Sequence, residues 1–208
     1  MNRFTKLWPG NDLTLLVMGI CPLLVIVTNM VIGFCVGFLF FITFVFSGMA
    51  VSLLKNLFSI ELRFFSIIMI TSSLVSSFVL ITQYWFFPLT EALDFYIYLV
   101  AINCLVVAFA EEIALRHPPF LVLYDSVIVG LLVFLVFFMI GFIRETAGSG
   151  TLFQDAELLF GDIASDWTIQ IVQDGGIKFI KYIPGSFFVL GLLIAGYNLI
   201  SGKSEQST

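Results

Sequence analysis

The chain has 208 residues, of which 60% are hydrophobic and 11% are charged, with a net charge of −5 and a mean hydropathy of +1.10. A soluble domain is about 45–50% apolar and about 25% charged, so the composition excludes one. Apolar windows of about 20 residues recur, each long enough to cross about 30 Å of hydrocarbon. The composition therefore predicts an integral membrane protein. Most of the negative charge falls in one loop, and we expect no nucleic-acid partner.

The apolar runs predict six transmembrane helices in one membrane domain over residues 1–208, an all-α fold. A polar lead at 1–12 precedes a run at 13–54 that is too long for one helix. Gly33 and Gly37 predict a break in that run. The six predicted spans are 13–31, 34–54, 64–86, 95–114, 120–143 and 179–200.

The lysines and arginines predict the orientation. With six spans both ends lie on one side of the membrane, and that side has six of the nine basic residues, against three on the other. The six are Arg3, Lys6, Lys55, Arg63, Arg116 and Lys203, and the three are Arg144, Lys178 and Lys181. The positive-inside bias places both termini in the cytoplasm. The loop at 144–178, with six of the fourteen acidic residues, is then external.

A glycine, a cysteine and a proline interrupt the first span in the stretch 19–24 (Gly-Ile-Cys-Pro-Leu-Leu). Proline lacks the N–H that closes a helical turn. Either the helix kinks here, or a half-helix begins with Pro22 at its first position and Cys21 as its cap. The N-terminus of a half-helix carries roughly half a positive charge, which favours a thiolate over a thiol.

A second thiol, Cys104, follows Asn103 in the fourth span, 83 residues after Cys21. The flanks align, because Leu16-Val17-x-x-x-Cys21-x-Leu23 falls on Leu99-Val100-x-x-x-Cys104-x-Val106. A duplicated half with three spans must be inserted upside down. The alignment predicts two inverted repeats, at about 13–86 and 95–200, with broken helices at the first and fourth spans that meet near the bilayer midplane.

Two thiolates at one depth could bind a soft metal or an iron–sulfur cluster. Such a cluster needs four protein ligands, so a second chain would supply two of them. The alternative is that each cysteine is a small buried apolar side chain. Cys35 has neither an adjacent proline nor an equivalent cysteine in the other repeat. We interpret it as a small buried apolar side chain.

Glu111 is the candidate for an ion path. It comes seven residues after Cys104, two helical turns on, and therefore shares its face. An acidic side chain inside a membrane is a functional candidate by default. The alternative is a charge at the helix end, either solvated or paired with Arg116.

The stretch 19–24, Asn103-Cys104 with Ala110-Glu111 following, and two later motifs resemble the E subunits of the Rnf (Rsx) electron transport complex. The later motifs are Arg144-Glu145-x-x-Gly148-x-Gly150-Thr151-Leu152-Phe153 and Pro184-Gly185-x-Phe187. The chain is also similar to the D subunits of the sodium-pumping NADH:quinone oxidoreductase, although its closing stretch is closer to the Rnf version. The resemblance covers residues 13–200.

The resemblance implies six helices in an inverted repeat and a partner of the same fold in opposite orientation, the A subunit. It also implies one intramembrane [2Fe-2S] cluster shared between them, for which Cys21 and Cys104 match this chain's two ligands. Further implied partners are the B, C, D and G subunits and the lipid of a bacterial inner membrane. The chain departs from the family at Phe109, where the family has arginine, and at Glu112, where it has alanine. Further departures are Ser59, Phe65 and Ser126-Val127.

These features predict an electron-relay subunit of an ion-translocating oxidoreductase of the ferredoxin/NAD type. The sequence contains no nucleotide-binding fingerprint, so we expect no catalytic site of its own. Two alternatives come from other classes. Inverted repeats with broken helices also describe secondary transporters, and a purely structural assembly subunit would bind no iron.

Overall fold

The computed structural model describes residues 19–57, 62–85, 98–153, 169–170 and 178–200. In that part of the chain, three helical stretches are long and apolar enough to cross a membrane, namely 30–57, 63–85 and 119–149. The prediction of a helical membrane protein is confirmed. The count of six spans and the inverted repeat stay predictions.

Six α-helices are described. They are α1 (Met30–Leu54), α2 (Arg63–Trp85), α3 (Cys104–Phe109), α4 (Pro119–Arg144), α5 (Lys178–Lys181) and α6 (Ile183–Ile200). Short 3₁₀ segments lie at Cys21–Val25 and Lys55–Leu57, and π-helical turns at Ala110–Ala114 and Glu145–Ser149. Two strands, β1 (Thr151–Leu152) and β2 (Ile169–Gln170), pair antiparallel within the long loop. The all-α prediction did not include this small ladder.

Helices α1 and α4 form the centre of the fold and run antiparallel. Gly33, near the start of α1, lies against Phe137 near the end of α4, whereas Gly48 lies against Val122 near its start. Both helices contribute fully buried phenylalanines, and the Phe40 and Phe137 rings meet edge-on with centroids 6.0 Å apart. This pair of helices is the frame on which the shorter segments are arranged.

The prediction that Gly33 and Gly37 break the first apolar run is wrong, because α1 continues through both. A Cβ added at Gly33 would lie 2.8 Å from the Phe137 carbonyl oxygen, and one at Gly37 would lie 3.1 Å from the Phe134 ring. Small residues let membrane helices approach closely. These glycines therefore serve the contact between α1 and α4.

The break in the first apolar run lies instead at residues 26–29, between the 3₁₀ segment Cys21–Val25 and α1. Asn29 has an extended backbone, with φ −128° and ψ 164°, and α1 begins at Met30. The four residues of the break are Ile-Val-Thr-Asn, which include neither glycine nor proline. The local signal for the break is Asn29, since asparagine is a preferred residue just before a helix.

Of the two alternatives for the stretch 19–24, the half-helix opened by Pro22 and capped by Cys21 is not the one observed. Residues 19–20 are already helical, and the 3₁₀ segment begins at Cys21. Ile20, just before it, has helical dihedral angles of φ −78° and ψ −30°. The chain therefore changes from α to 3₁₀ at Cys21, and the 3₁₀ segment ends at Val25.

The fourth predicted span is broken next to its cysteine. A 3₁₀ turn at 98–100 is followed by two turn residues, and then Asn103 takes an extended conformation, with φ −72° and ψ 125°, as the cap of α3. The Asn103 side chain accepts a hydrogen bond from the Leu105 amide at 2.9 Å. Cys104 is thus the first residue of a new half-helix, which continues through the π turn to Ala114.

Helices α1 and α4 are linked at both ends in the same way. A cation at the C-terminal end of each of these two helices binds a backbone carbonyl just before the start of the other. Lys55, just after α1, donates to the carbonyl of His117, 2.9 Å away and two residues before α4. Arg144, the last residue of α4, donates to the carbonyl of Val27, which lies in the break before α1. The end of α1 is therefore bound to the segment before α4, and the end of α4 is bound to the segment before α1.

Arg144 and Glu145 correct one part of the sequence interpretation, which counted them as charges of the external loop. Arg144 is 1% exposed and Glu145 0% exposed. The rest of that loop's acids, the polar lead, the acidic connection before residue 98 and the C-terminal tail lie outside the described residues.

Candidate functional site

The two cysteine-bearing segments are in direct contact. The Asn103 side-chain amide donates to the carbonyl of Gly19 at 2.6 Å. A Cβ added at Gly19 would overlap Cβ of Leu105 and would lie 3.1 Å from Oδ1 of Asn103. The backbones can approach this closely only because residue 19 has no side chain. Cys21 and Cys104 flank this contact, two residues and one residue away from the bonded pair.

The two cysteines are less buried than the apolar residues beside them. Cys104 is exposed and Cys21 is half-buried. Their neighbours Leu23, Leu24 and Leu105 are at most 1% exposed. Each cysteine therefore keeps accessible surface next to a buried apolar region.

Cys104 stands at the first position of a half-helix, where the first backbone amides have no intrahelical partners. Asn103 already satisfies the Leu105 amide, so the cap is formed before any ligand arrives.

The side chains available at this contact are two thiols. Thiolates select iron–sulfur clusters and soft metal ions over hard cations. Within the described residues no group of three or more histidine, cysteine or acidic side chains is assembled. Two thiols therefore fit the half-site predicted for an iron–sulfur cluster, with two ligands still required from a partner.

Cys35 has a different setting from the other two thiols. It lies in α1, 8% exposed. A buried thiol in a helix interior behaves as a small apolar side chain. Its position agrees with the interpretation that it is a packing residue.

Glu111 lies in the π-helical turn Ala110–Ala114 and is exposed. A π turn holds more residues than an α turn, so the seven-residue spacing from Cys104 no longer returns to the same face as it would in a regular helix. It is Glu112, at 3.6 Å, that pairs with Arg116, and both side chains of that pair are exposed. Glu111 thus remains open to solvent or to a partner.

Sequence reasoning identified the two cysteines but not the residues that join their segments. Asn103 was noted only as the neighbour of Cys104, although asparagine before a half-helix is a strong capping signal. Gly19 gave no signal of its own, because its role depends on a contact with a residue 84 positions away.

Comparison with known proteins identifies the family of the chain. The family described as "Rnf-Nqr subunit, membrane protein" matches residues 2–194. A protein of Pseudomonas aeruginosa (strain UCBPP-PA14), named as the E subunit of an ion-translocating oxidoreductase complex, is 34% identical over 195 residues, which are 93% of this chain and 82% of that protein.

Proteins with the same name from two other bacteria are similar. The one from Pseudoalteromonas atlantica is 31% identical over 212 residues, covering 99% of this chain and 91% of the relative. The one from Shewanella sp. (strain ANA-3) is 32% identical over 201 residues, covering 96% and 87%. Because the family match spans nearly the whole chain, this protein belongs to the Rnf-Nqr family of membrane subunits.

Proposed function

We propose that this chain is the E-type membrane subunit of a bacterial Rnf complex, which couples electron transfer to ion translocation. The names and the nearly full coverage of its relatives support this assignment. The contact between the two cysteine-bearing segments is the observation in the structure that carries it. A subunit that only assembled others would have no need to join two segments that each carry a partly exposed cysteine.

In this proposal Cys21 and Cys104 supply half of the ligands of a [2Fe-2S] cluster. The cluster, when bound, supplies one-electron transfer within the membrane. The chain's own residues do the rest. Asn103 caps the Cys104 half-helix and holds it to the Cys21 segment, and the buried leucines beneath exclude water from the site.

The other two cluster ligands would come from an A-type subunit of the same fold in opposite orientation. The exposure of Cys104 and the half-burial of Cys21 leave this face open to such a partner. Six spans in an inverted repeat complete the proposal. The hydrogen bonds of Lys55 and Arg144 support it. A two-fold axis in the membrane plane, which relates inverted repeats, would place equivalent bonds at the two ends of a helix pair.

For the ion path we propose Glu111. It is an acidic side chain in a π-helical turn, two turns along the half-helix that begins at Cys104. Such turns occur frequently at functional sites. Both termini would face the cytoplasm of the inner membrane. Reporter fusions within 155–165 should then read as external, and fusions at Arg116 and at the C-terminus as cytoplasmic.

The test of the proposed function is the iron content and the electron paramagnetic resonance spectrum of the chain purified with its complex. Cys21→Ala and Cys104→Ala should each abolish the signal of the cluster, whereas Cys35→Ala should keep it. Full iron and full electron transfer in both of the first two variants would exclude the cluster. A secondary transporter would instead tolerate Cys21→Ser and Cys104→Ser without loss of transport.

A further inference from the structure

The break before α1 exposes backbone groups that two neighbouring charged side chains satisfy. Arg144 donates through Nη1 to the Val27 carbonyl. Glu145 accepts, through Oε2, a hydrogen bond of 2.8 Å from the Met30 amide. Two consecutive residues therefore bind a carbonyl within the break and the first amide of α1. They fix the conformation of the segment that follows the Cys21 turn.

The same arginine also binds a second interruption of the chain. Its Nε donates to the Ile180 carbonyl at 3.2 Å, and its Nη2 donates to the Tyr182 carbonyl at 3.4 Å. Tyr182 separates α5 from α6. Arginine suits this task because its planar fork presents five donors in fixed directions, whereas lysine is a point charge on a flexible stem.

At the opposite end of the pair α1 and α4, Lys55 occupies the position that corresponds to Arg144, and it makes fewer contacts. The His117 carbonyl accepts from Lys55 at 2.9 Å and from the Ser52 hydroxyl at 3.2 Å. The His117 ring in turn contacts the Ile113 carbonyl at 3.2 Å, within the π turn that continues the Cys104 half-helix. Lys55 is thus tied to the Cys104 segment as Arg144 is tied to the Cys21 segment.

We propose that Arg144 with Glu145, and Lys55, are positioning residues, each of which sets the placement of one cysteine from the opposite half of the chain. The hydrogen bonds described for them reach backbone groups rather than thiols. They act on the backbone that follows each cysteine-bearing turn: Arg144 and Glu145 on Cys21, and Lys55 on Cys104. That the positions of Cys21 and Cys104 matter for electron transfer rests on the proposed function. That these three residues set the two positions does not depend on it.

The test measures alkylation of the three cysteines by a membrane-permeant maleimide, resolved by mass spectrometry. The full-length chain is used, purified in detergent and freed of iron with a chelator, so that no cluster protects the thiols. Cys35 is the internal control. Because it is buried in α1, its labelling reports general opening of the fold.

In Arg144→Lys we expect the labelling rate of Cys21 to change by about tenfold, the factor that corresponds to about 1.4 kcal/mol. Cys104 should change by less than about twofold on the same scale. In Lys55→Met the pattern should reverse, and Lys55→Arg should restore the rate of Cys104. Arg116→Lys is the matched control, since Arg116 pairs only with the exposed Glu112 among the contacts described for it, and neither thiol should respond.

Equal changes at Cys21 and Cys104 in both variants, or a parallel rise at Cys35, would show general destabilisation and overturn the proposal. No change in either variant would overturn it as well. If Arg144→Lys does not fold, the Lys55 pair still tests Cys104. Glu145→Leu, which removes the acceptor for the Met30 amide and should change the labelling rate of Cys21, then tests the other half of the proposal. The protein in this test is free of iron, so the two tests are independent. The labelling of Cys21 and Cys104 can change selectively even if no cluster signal is found, and a cluster signal can be found even if the labelling does not change selectively.

Discussion

The side-chain amide of Asn103 donates to the carbonyl of Gly19, 84 residues earlier in the chain. The same side chain caps α3 through the Leu105 amide. One residue therefore both starts the Cys104 half-helix and joins it to the Cys21 segment.

Two substitutions separate these roles. Asn103→Ser keeps a capping oxygen but loses the amide that reaches Gly19, whereas Asn103→Ala loses both. We expect Asn103→Ala to lower the free energy of unfolding by about 1 kcal/mol more than Asn103→Ser does, the usual worth of a cap. Thermal unfolding in detergent measures the difference. Equal losses would show that capping contributes nothing here.

Gly19→Ala should destabilise the contact between the cysteine-bearing segments, since the new Cβ would overlap Cβ of Leu105. Leu105→Ala should not relieve the clash because alanine retains that Cβ, whereas Leu105→Gly should relieve it partly, less the helix cost of about 1 kcal/mol for glycine. Gly191→Ala is the control, because no described atom lies within 4 Å of a Cβ there. The melting temperatures of the single and double variants test this; a Gly19→Ala protein as stable as the native one would contradict it.

Glu111→Gln should slow ion uptake by membrane vesicles while electron transfer and the cluster signal persist, because only the charge on the proposed ion path is removed. Glu112→Gln is the matched control. It removes a surface ion pair with Arg116, and such a pair is worth at most about 1 kcal/mol. Normal pumping by Glu111→Gln would identify that residue as a charge at the helix end.

Substitution by valine should change the free energy of unfolding in opposite directions at two buried threonines. Thr43 is fully buried, and its hydroxyl has no hydrogen-bond partner among the described residues. Thr71 donates to the Ile67 carbonyl at 2.7 Å, so the Ser47 hydroxyl, 3.2 Å away, must be the donor to Thr71. Thr43→Val should raise the free energy of unfolding by about 1 kcal/mol, and Thr71→Val should lower it by a similar amount.

Denaturation of the purified variants checks both signs. A loss of stability in Thr43→Val would mean that its hydroxyl binds a water molecule or an ion between the helices. A neutral Thr71→Val would mean that the bond to Ser47 adds nothing.

The sequence predicted best those helices whose ends are marked locally. The span predicted at 120–143 is α4, Pro119–Arg144, because a pair of prolines precedes it and polar residues follow. The span at 64–86 is α2, Arg63–Trp85, for the same kind of reason. Where glycine was taken as a break, the contact between α1 and α4 decided otherwise, since a small residue in a membrane helix also permits close packing.

Within the candidate site, the cysteines could be chosen from sequence because their chemistry is uncommon and their flanks repeat. The burial of Arg144 and Glu145 could not be chosen in this way. Their partners include backbone groups of residues more than 100 positions earlier, and a backbone carbonyl or amide leaves no mark on the sequence. A charge next to a loop therefore resembled an ordinary loop charge.

The closure of the break at 26–29 also has a consequence during synthesis. The Val27 carbonyl receives its arginine from 117 residues later in the chain, and the Met30 amide receives its carboxylate from 115 residues later. At about 5–20 residues per second, a ribosome needs on the order of ten seconds to make that length. Throughout that interval the Val27 carbonyl and the Met30 amide are without these partners, and water or the insertion machinery must satisfy them until Arg144 and Glu145 are made.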